Sequence, residues 1–132
     1  MDVRGVISAW CASALLIAVA TAATAGDDDD DEPQSHHGAI AYSPSTRAHG
    51  WSYDYPSRGH ADRRALDRCG RHARDCIVAV RFHKACGALA VGPDGYGSGW
   101  GDSRKVAEGY ALRSCARYSN GCEIVRWVCT TR

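Results

Sequence analysis

The residues whose chemistry has to be settled first are cysteines and histidines. Six cysteines, Cys69, Cys76, Cys86, Cys115, Cys122 and Cys129, fall in two runs, CGRHARDCIVAVRFHKAC and CARYSNGCEIVRWVC. In each run the first two are seven positions apart, and a β-branched and aromatic stretch leads to the third. Metal binding would call for a Cys-x-x-Cys pair or a Cys/His knuckle, and neither is present, so no metal is expected. A thiol enzyme beside His60, His72 or His83 would need a spare thiolate. An even set of six in an exported chain leaves none, because it forms three disulfides. The repetition suggests the connectivity Cys69–Cys76 and Cys115–Cys122 within each run, with Cys86 and Cys129 paired across the two.

Other catalytic constellations are weaker. Ser98 lies in Gly97-Ser98-Gly99-Trp100-Gly101, but without the strand-turn-helix setting of a nucleophile elbow. Asp54, Asp94, Asp102 and Glu108 have no spacing that favours a carboxylate pair, and Gly92-Pro93-Asp94-Gly95 is turn chemistry rather than a phosphate loop. No cofactor and no catalytic residue is assigned, and a small hydrolase built on a His–carboxylate site is kept as the alternative to a binding module. The aromatics point to binding. Trp51, Tyr53 and Tyr55 alternate, which directs their rings to one face of a strand. Trp51 and Trp100, read as counterparts, are expected in the core. Tyr53 and Tyr55, read as an insertion peculiar to the first copy, form with Arg58 the candidate contact patch for a protein or glycan. Arginines 63, 64, 68, 71 and 74 are expected on a solvated helix face.

The elements that hold these residues occur twice. GAIAYSPS from Gly38 matches GALAVGPD from Gly87, and Gly50-Trp51 matches Gly99-Trp100, at an offset of 49. Downstream, Ser57-Arg58, Ala61, Ala65-Leu66, Cys69 and Cys76 match Ser103-Arg104, Ala107, Ala111-Leu112, Cys115 and Cys122 at an offset of 46. Within each copy a short apolar run, stopped by turn residues, reads as a strand, and a second strand follows around Ala48–Tyr53 or Tyr96–Gly101. A helix follows from near Ser57 or Ser103, with Asp102 a candidate cap. Its alanine, leucine and cysteine positions make one stripe. The runs at Ile77–Phe82 and Glu123–Val128 read as closing strands. The expected fold is therefore α+β, a small disulfide-bonded domain of two duplicated ββαβ units (copies 38–86 and 87–129) with pseudo-twofold symmetry and both helices on the sheet.

Upstream, residues 1–25 read as a signal peptide, with one arginine, a short apolar run and an Ala-x-Ala end. Its removal takes Cys11 with it and leaves no stable membrane insertion. Residues 26–37 (GDDDDDEPQSHH) read as an acidic disordered tail, because like charges repel and nothing there is apolar enough to bury. The tail masks the charge of the domain behind it. From Pro33 onward thirteen Arg and two Lys face eight acids, a net +7, against +1 for the whole chain. The expected partner is a protein or an anionic envelope component or glycan rather than nucleic acid. The expected location is secreted or periplasmic in a bacterium.

Gly-Ala-[Ile/Leu]-Ala, the Gly-Trp pair, the Ala-Leu-x-x-Cys helix and the junction Cys86-Gly87-Ala88-Leu89-Ala90 together resemble the bacterial exported family known as domain of unknown function 4189, over about Gly38 to Cys129. The resemblance implies a small, disulfide-bonded protein that carries a signal peptide. It brings no catalytic residues with it.

Overall fold

Alternation of small and large apolar residues decides this architecture. In Ala39-Ile40-Ala41-Tyr42 and Ala88-Leu89-Ala90-Val91 the alanines point to one face of a strand and the bulky residues to the other. The computed structural model describes residues 35–131; the expected signal peptide and the acidic stretch up to residue 34 lie outside the described residues. The elements are β1 (His37–Tyr42), β2 (His49–Tyr55), α1 (Arg58–Gly70), β3 (Ile77–His83), β4 (Cys86–Gly92), β5 (Gly95–Gly101), α2 (Arg104–Ala116) and β6 (Glu123–Cys129).

The two ββαβ units are present, but each closes its own sheet. The strand orders are β2-β1-β3 and β5-β4-β6, antiparallel throughout. The expectation of both helices on one sheet is thereby corrected. Ala39 and Ala41 face α1, and Ala88 and Ala90 face α2. Ile40, Tyr42, Val80 and Phe82 of one sheet meet Leu89, Val91 and Val128 of the other. The layers run helix, sheet, sheet, helix. Ile40 and Leu89 are fully buried between the sheets, each contributing about 1.5–3 kcal/mol. Phe82 breaks the symmetry: its ring occupies the space in front of both Gly38 and Gly87, while its second-unit counterpart is the smaller Val128.

Ser57 and Ser103 cap the helices, accepting from the backbone N–H of His60 and Val106, so Asp102 is not the cap. Ala61, Ala65 and Cys69, and likewise Ala107, Ala111 and Cys115, are buried at i, i+4, i+8. Leu66 is half-buried and Leu112 is exposed, so the inward stripe is narrower than expected. The approach is close enough to require glycine. A Cβ on Gly50 would lie 2.3 Å from the Ala65 carbonyl oxygen, and one on Gly97 2.1 Å from the Cys115 nitrogen.

Those two glycines correct the alignment of the copies. Ala65 and Cys69 correspond to Ala111 and Cys115, so Gly50 corresponds to Gly97 rather than Gly99. Trp51 therefore matches Ser98, and Tyr53 matches Trp100. The length difference sits in two places. The β1–β2 turn, between paired Tyr42 and His49, is two residues longer than its counterpart between Val91 and Tyr96. One further residue is a β-bulge, where the β1–β2 register shifts and Asp54 takes φ 58°.

The disulfides are Cys69–Cys76, Cys115–Cys122 and Cys86–Cys129. The first two tie each helix to its following strand. Cys86 is the first residue of β4, directly opposite Cys129, so the third bridge lies inside the second unit rather than between units. The unit boundary accordingly falls before Cys86. His37 is a β1 residue rather than part of the tail, paired with both Tyr55 and His83. In the first unit the His37–His83 pair, rings stacked 4.3 Å apart, stands where the second unit has Cys86–Cys129.

Candidate functional site

The sandwich has two open edges, and the copies have diverged there. At one, β5 faces β3, and Ser98 donates a hydrogen bond to the Ala79 carbonyl (2.7 Å). At the other, β2 faces β6. Ser98 is replaced there by Trp51, and Val80 by Arg126. Arg126 pairs with Leu89 across the β4–β6 ladder, so its stem leaves from the position of a core side chain. Its guanidinium carbon lies 3.7 Å from the centroid of the Trp51 ring. Arg68, from the third turn of α1, reaches the same indole at 5.0 Å. One of the five arginines expected to be a solvated face is thus part of a cluster.

Arg126 donates from Nη2 to His49 Nε2 at 3.2 Å. His49 must accept there, so it is neutral, and its pKa is held below the usual histidine range. Burial is the main cause, the Arg126 charge adds to it, and a hydrogen bond to the Arg47 backbone works against both. Arg126 is lowered as well, by burial and then by the charge of Arg68. No carboxylate compensates: neither arginine is in an ion pair among the described residues. Arg126 Nε is buried with no hydrogen-bond partner among the described residues. An unmet donor of that kind costs about 1–3 kcal/mol. Two cations on an indole are each attracted to the ring by about 0.5–2 kcal/mol while repelling one another. An anion accepting from the outer edge of the guanidinium would offset the repulsion between the two cations.

The residues singled out from the sequence are scattered. Trp100 is not core: its side chain is 57% exposed, because Gly99 and Gly101 on the opposite face are the ones pressed against α2. Tyr53, its counterpart, is 49% exposed. Tyr55 does not share a face with Tyr53, since the bulge at Asp54 turns it toward α1, where it packs half-buried against the Ala39 and Ala61 cluster. Arg58 is exposed and lines a depression of about 470 Å³ with His37, His83 and Trp100. The three residues of the expected patch are therefore not one surface. The sequence held one signal for the observed site, an arginine at 126 flanked by apolar residues, on the same strand face as Val128.

Histidine–carboxylate and serine–histidine contacts exist elsewhere. His36 Nδ1 lies 3.0 Å from Asp54 Oδ1 and 3.2 Å from Thr131 Oγ1. Ser57 Oγ lies 2.6 Å from His60 Nδ1. Among the described residues no group of three or more metal-ligating side chains occurs, and no helix is long and apolar enough to cross a membrane.

The model of the family called domain of unknown function (DUF4189) matches residues 37–129. The chain is 38% identical over 98 residues to the uncharacterized protein Rv1813c of Mycobacterium tuberculosis, covering 74% of this chain and 62% of that protein. It is 38% identical over 93 residues to protein Rv1269c of the same organism, covering 70% of this chain and 68% of that protein. The NMR structure of Rv1813c matches it with a TM-score of 0.55 at 32% identity, covering 95% of this chain and 99% of that one. The chain thus spans less than two thirds of the length of the first of these relatives. It belongs to the DUF4189 family.

Proposed function

We propose that this member of the DUF4189 family is an exported binding module whose basic, aromatic-bearing surface takes an anionic ligand at Trp51, Arg68, Arg126 and His49. The observation that carries the reading is Arg126 itself, a guanidinium rooted in a core position, stacked on an indole, with Nε buried and no carboxylate partner among the described residues. Guanidinium forks suit carboxylate, phosphate and sulfate groups, so an envelope polymer or an acidic protein surface fits. Three disulfides suit an oxidising compartment outside the cytoplasm, whether periplasm or medium.

The alternative, a small secreted hydrolase, draws on the His36–Asp54 and Ser57–His60 contacts. A relay needs the carboxylate and the nucleophile on opposite ring nitrogens. At His36 the same Nδ1 faces both Asp54 and Thr131. Ser57 Oγ already caps α1, and His60 has no carboxylate partner among the described residues. These features favour binding over hydrolysis.

Calorimetric titration with pyrophosphate tests the proposal. Arg126→Met should weaken binding at least tenfold, and Arg126→Lys, which keeps the charge but loses the fork, should fall between. Arg74→Ala, an exposed arginine that is not one of the residues stacked on Trp51, should bind as the unaltered protein does. Equal losses at Arg74 and Arg126 would mean a diffuse cationic surface instead of a site.

A further inference from the structure

We infer that Trp100 forms a second site, separate from the arginine cluster, that holds a sugar ring of an acidic oligosaccharide. Trp100 stands as a wall between two depressions. One, of about 560 Å³, is bounded by Ser98, Asp102, Val106 and Tyr110, and the other, of about 470 Å³, by Arg58, His37 and His83. Trp100, Tyr110 and Val106 are all exposed. A flat apolar ring face beside hydrogen-bonding groups is what the C–H face and hydroxyls of a pyranose match.

The hydrogen-bonding groups come from two sources. β5 is an outer strand, so one edge of its backbone from Ser98 to Gly101 has no strand partner. The Asp102 side chain makes no hydrogen bond or ion pair among the described residues, and a carboxylate accepts from sugar hydroxyls. On the far side of the indole Arg58 likewise has no ion pair among the described residues, which suits a ring-borne carboxylate. An added peptide strand fits less well. Strand addition reads alternate side chains in pockets, and the face where they would lie is closed by α2 pressed on Gly97 and Gly99. The first unit keeps an exposed aromatic, Tyr53, at the equivalent position, so exposure here is a property of the duplicated design.

Oligogalacturonate and neutral cello-oligosaccharide, titrated against the protein with the tryptophan indole N–H signals followed by NMR, provide the test. The Trp100 signal should shift with oligogalacturonate, Trp100→Ala should weaken binding at least tenfold, and Trp100→Phe should retain part of it. Arg58→Gln should bring the acidic oligomer down to the affinity of the neutral one. Trp100 is exposed, so the melting temperature of each variant should stay near that of the unaltered protein, which separates lost binding from lost folding. A response confined to Trp51 would mean that the arginine cluster captures the charge alone, and the Trp100 site would be rejected. An extended peptide that protects β5 amides from exchange while the sugars leave Trp100 unmoved would replace the sugar by a strand.

Discussion

At the scale of single residues, Arg126 and His49 form a coupled pair that can be read by titration. Burial and the neighbouring guanidinium hold His49 neutral in the folded protein. Its folded pKa lies below the unfolded value of about 6.5. The stabilising contribution of the neutral ring is present above the unfolded pKa. It is lost as pH falls from there through the folded pKa, because only the unfolded chain takes up the proton in that window. Arg126→Met removes one of the two depressing causes, so the His49 pKa should rise, measurable from its ring-proton shifts. An unchanged value would mean that burial alone sets it. Neither partner was legible in the sequence as a site. Arg126 has apolar residues on both sides, so no alternation of polar and apolar residues marks its face, and the β4–β6 register, which pairs it with Leu89, shows that it points toward Trp51. Tyr55 failed through the bulge at Asp54.

At the scale of elements, the duplicated strands, the capping serines and the alanine–cysteine stripes were plain, because each rests on a short-range pattern. The equivalence of β2 and β5 was not. Gly-Trp occurs in both, and matching those letters hid a two-residue register difference that only the glycine–helix contacts expose. The packing predicts contrasting glycine substitutions. Gly97→Ala places a Cβ against α2 backbone that cannot move aside, and should cost about 3 kcal/mol or more in denaturant unfolding. Gly70→Ala, with nothing within 4 Å of its Cβ, should stabilise by about 0.5–1 kcal/mol, since it ends a helix where glycine only adds unfolded-state entropy. The two hairpin turns are held differently. Asp75 accepts from Ser43 Oγ and from the Ser45 backbone, which lowers its pKa, whereas Ser119 Oγ accepts from the Asp94 backbone. The Asp75 contribution is present above the unfolded carboxylate pKa and lost as pH falls through the lower folded value. Asp75→Asn should therefore flatten the acid limb of the stability curve.

At the scale of the whole molecule, three bridges and two thin helix–sheet layers replace a large core. In the chain-entropy account the two short bridges stabilise by about 2.4 kcal/mol each and Cys86–Cys129 by about 4 kcal/mol. The pairing was legible because the spacing repeats, but two sheets rather than one were not, since nothing local says which face a strand's larger residues seek. The pseudo-symmetry makes its own prediction. His37→Cys with His83→Cys should form a fourth disulfide at the place of Cys86–Cys129, seen as no free thiol by mass spectrometry. Persistent thiols would refute the equivalence. Trp100→Ala should change stability by no more than about 1 kcal/mol, because the ring is exposed.

The claim on which the functional account turns is that an anion seats against Arg126. Pyrophosphate titration followed by NMR at His49 and Trp51, repeated across the histidine range, tests it most directly. An anion there favours the protonated imidazole, so the His49 pKa should rise on saturation, the Trp51 indole signal should shift, and affinity should increase toward acid pH. A His49 pKa that stays where it was, with shifts spread over the exposed arginines of α1, would contradict the account.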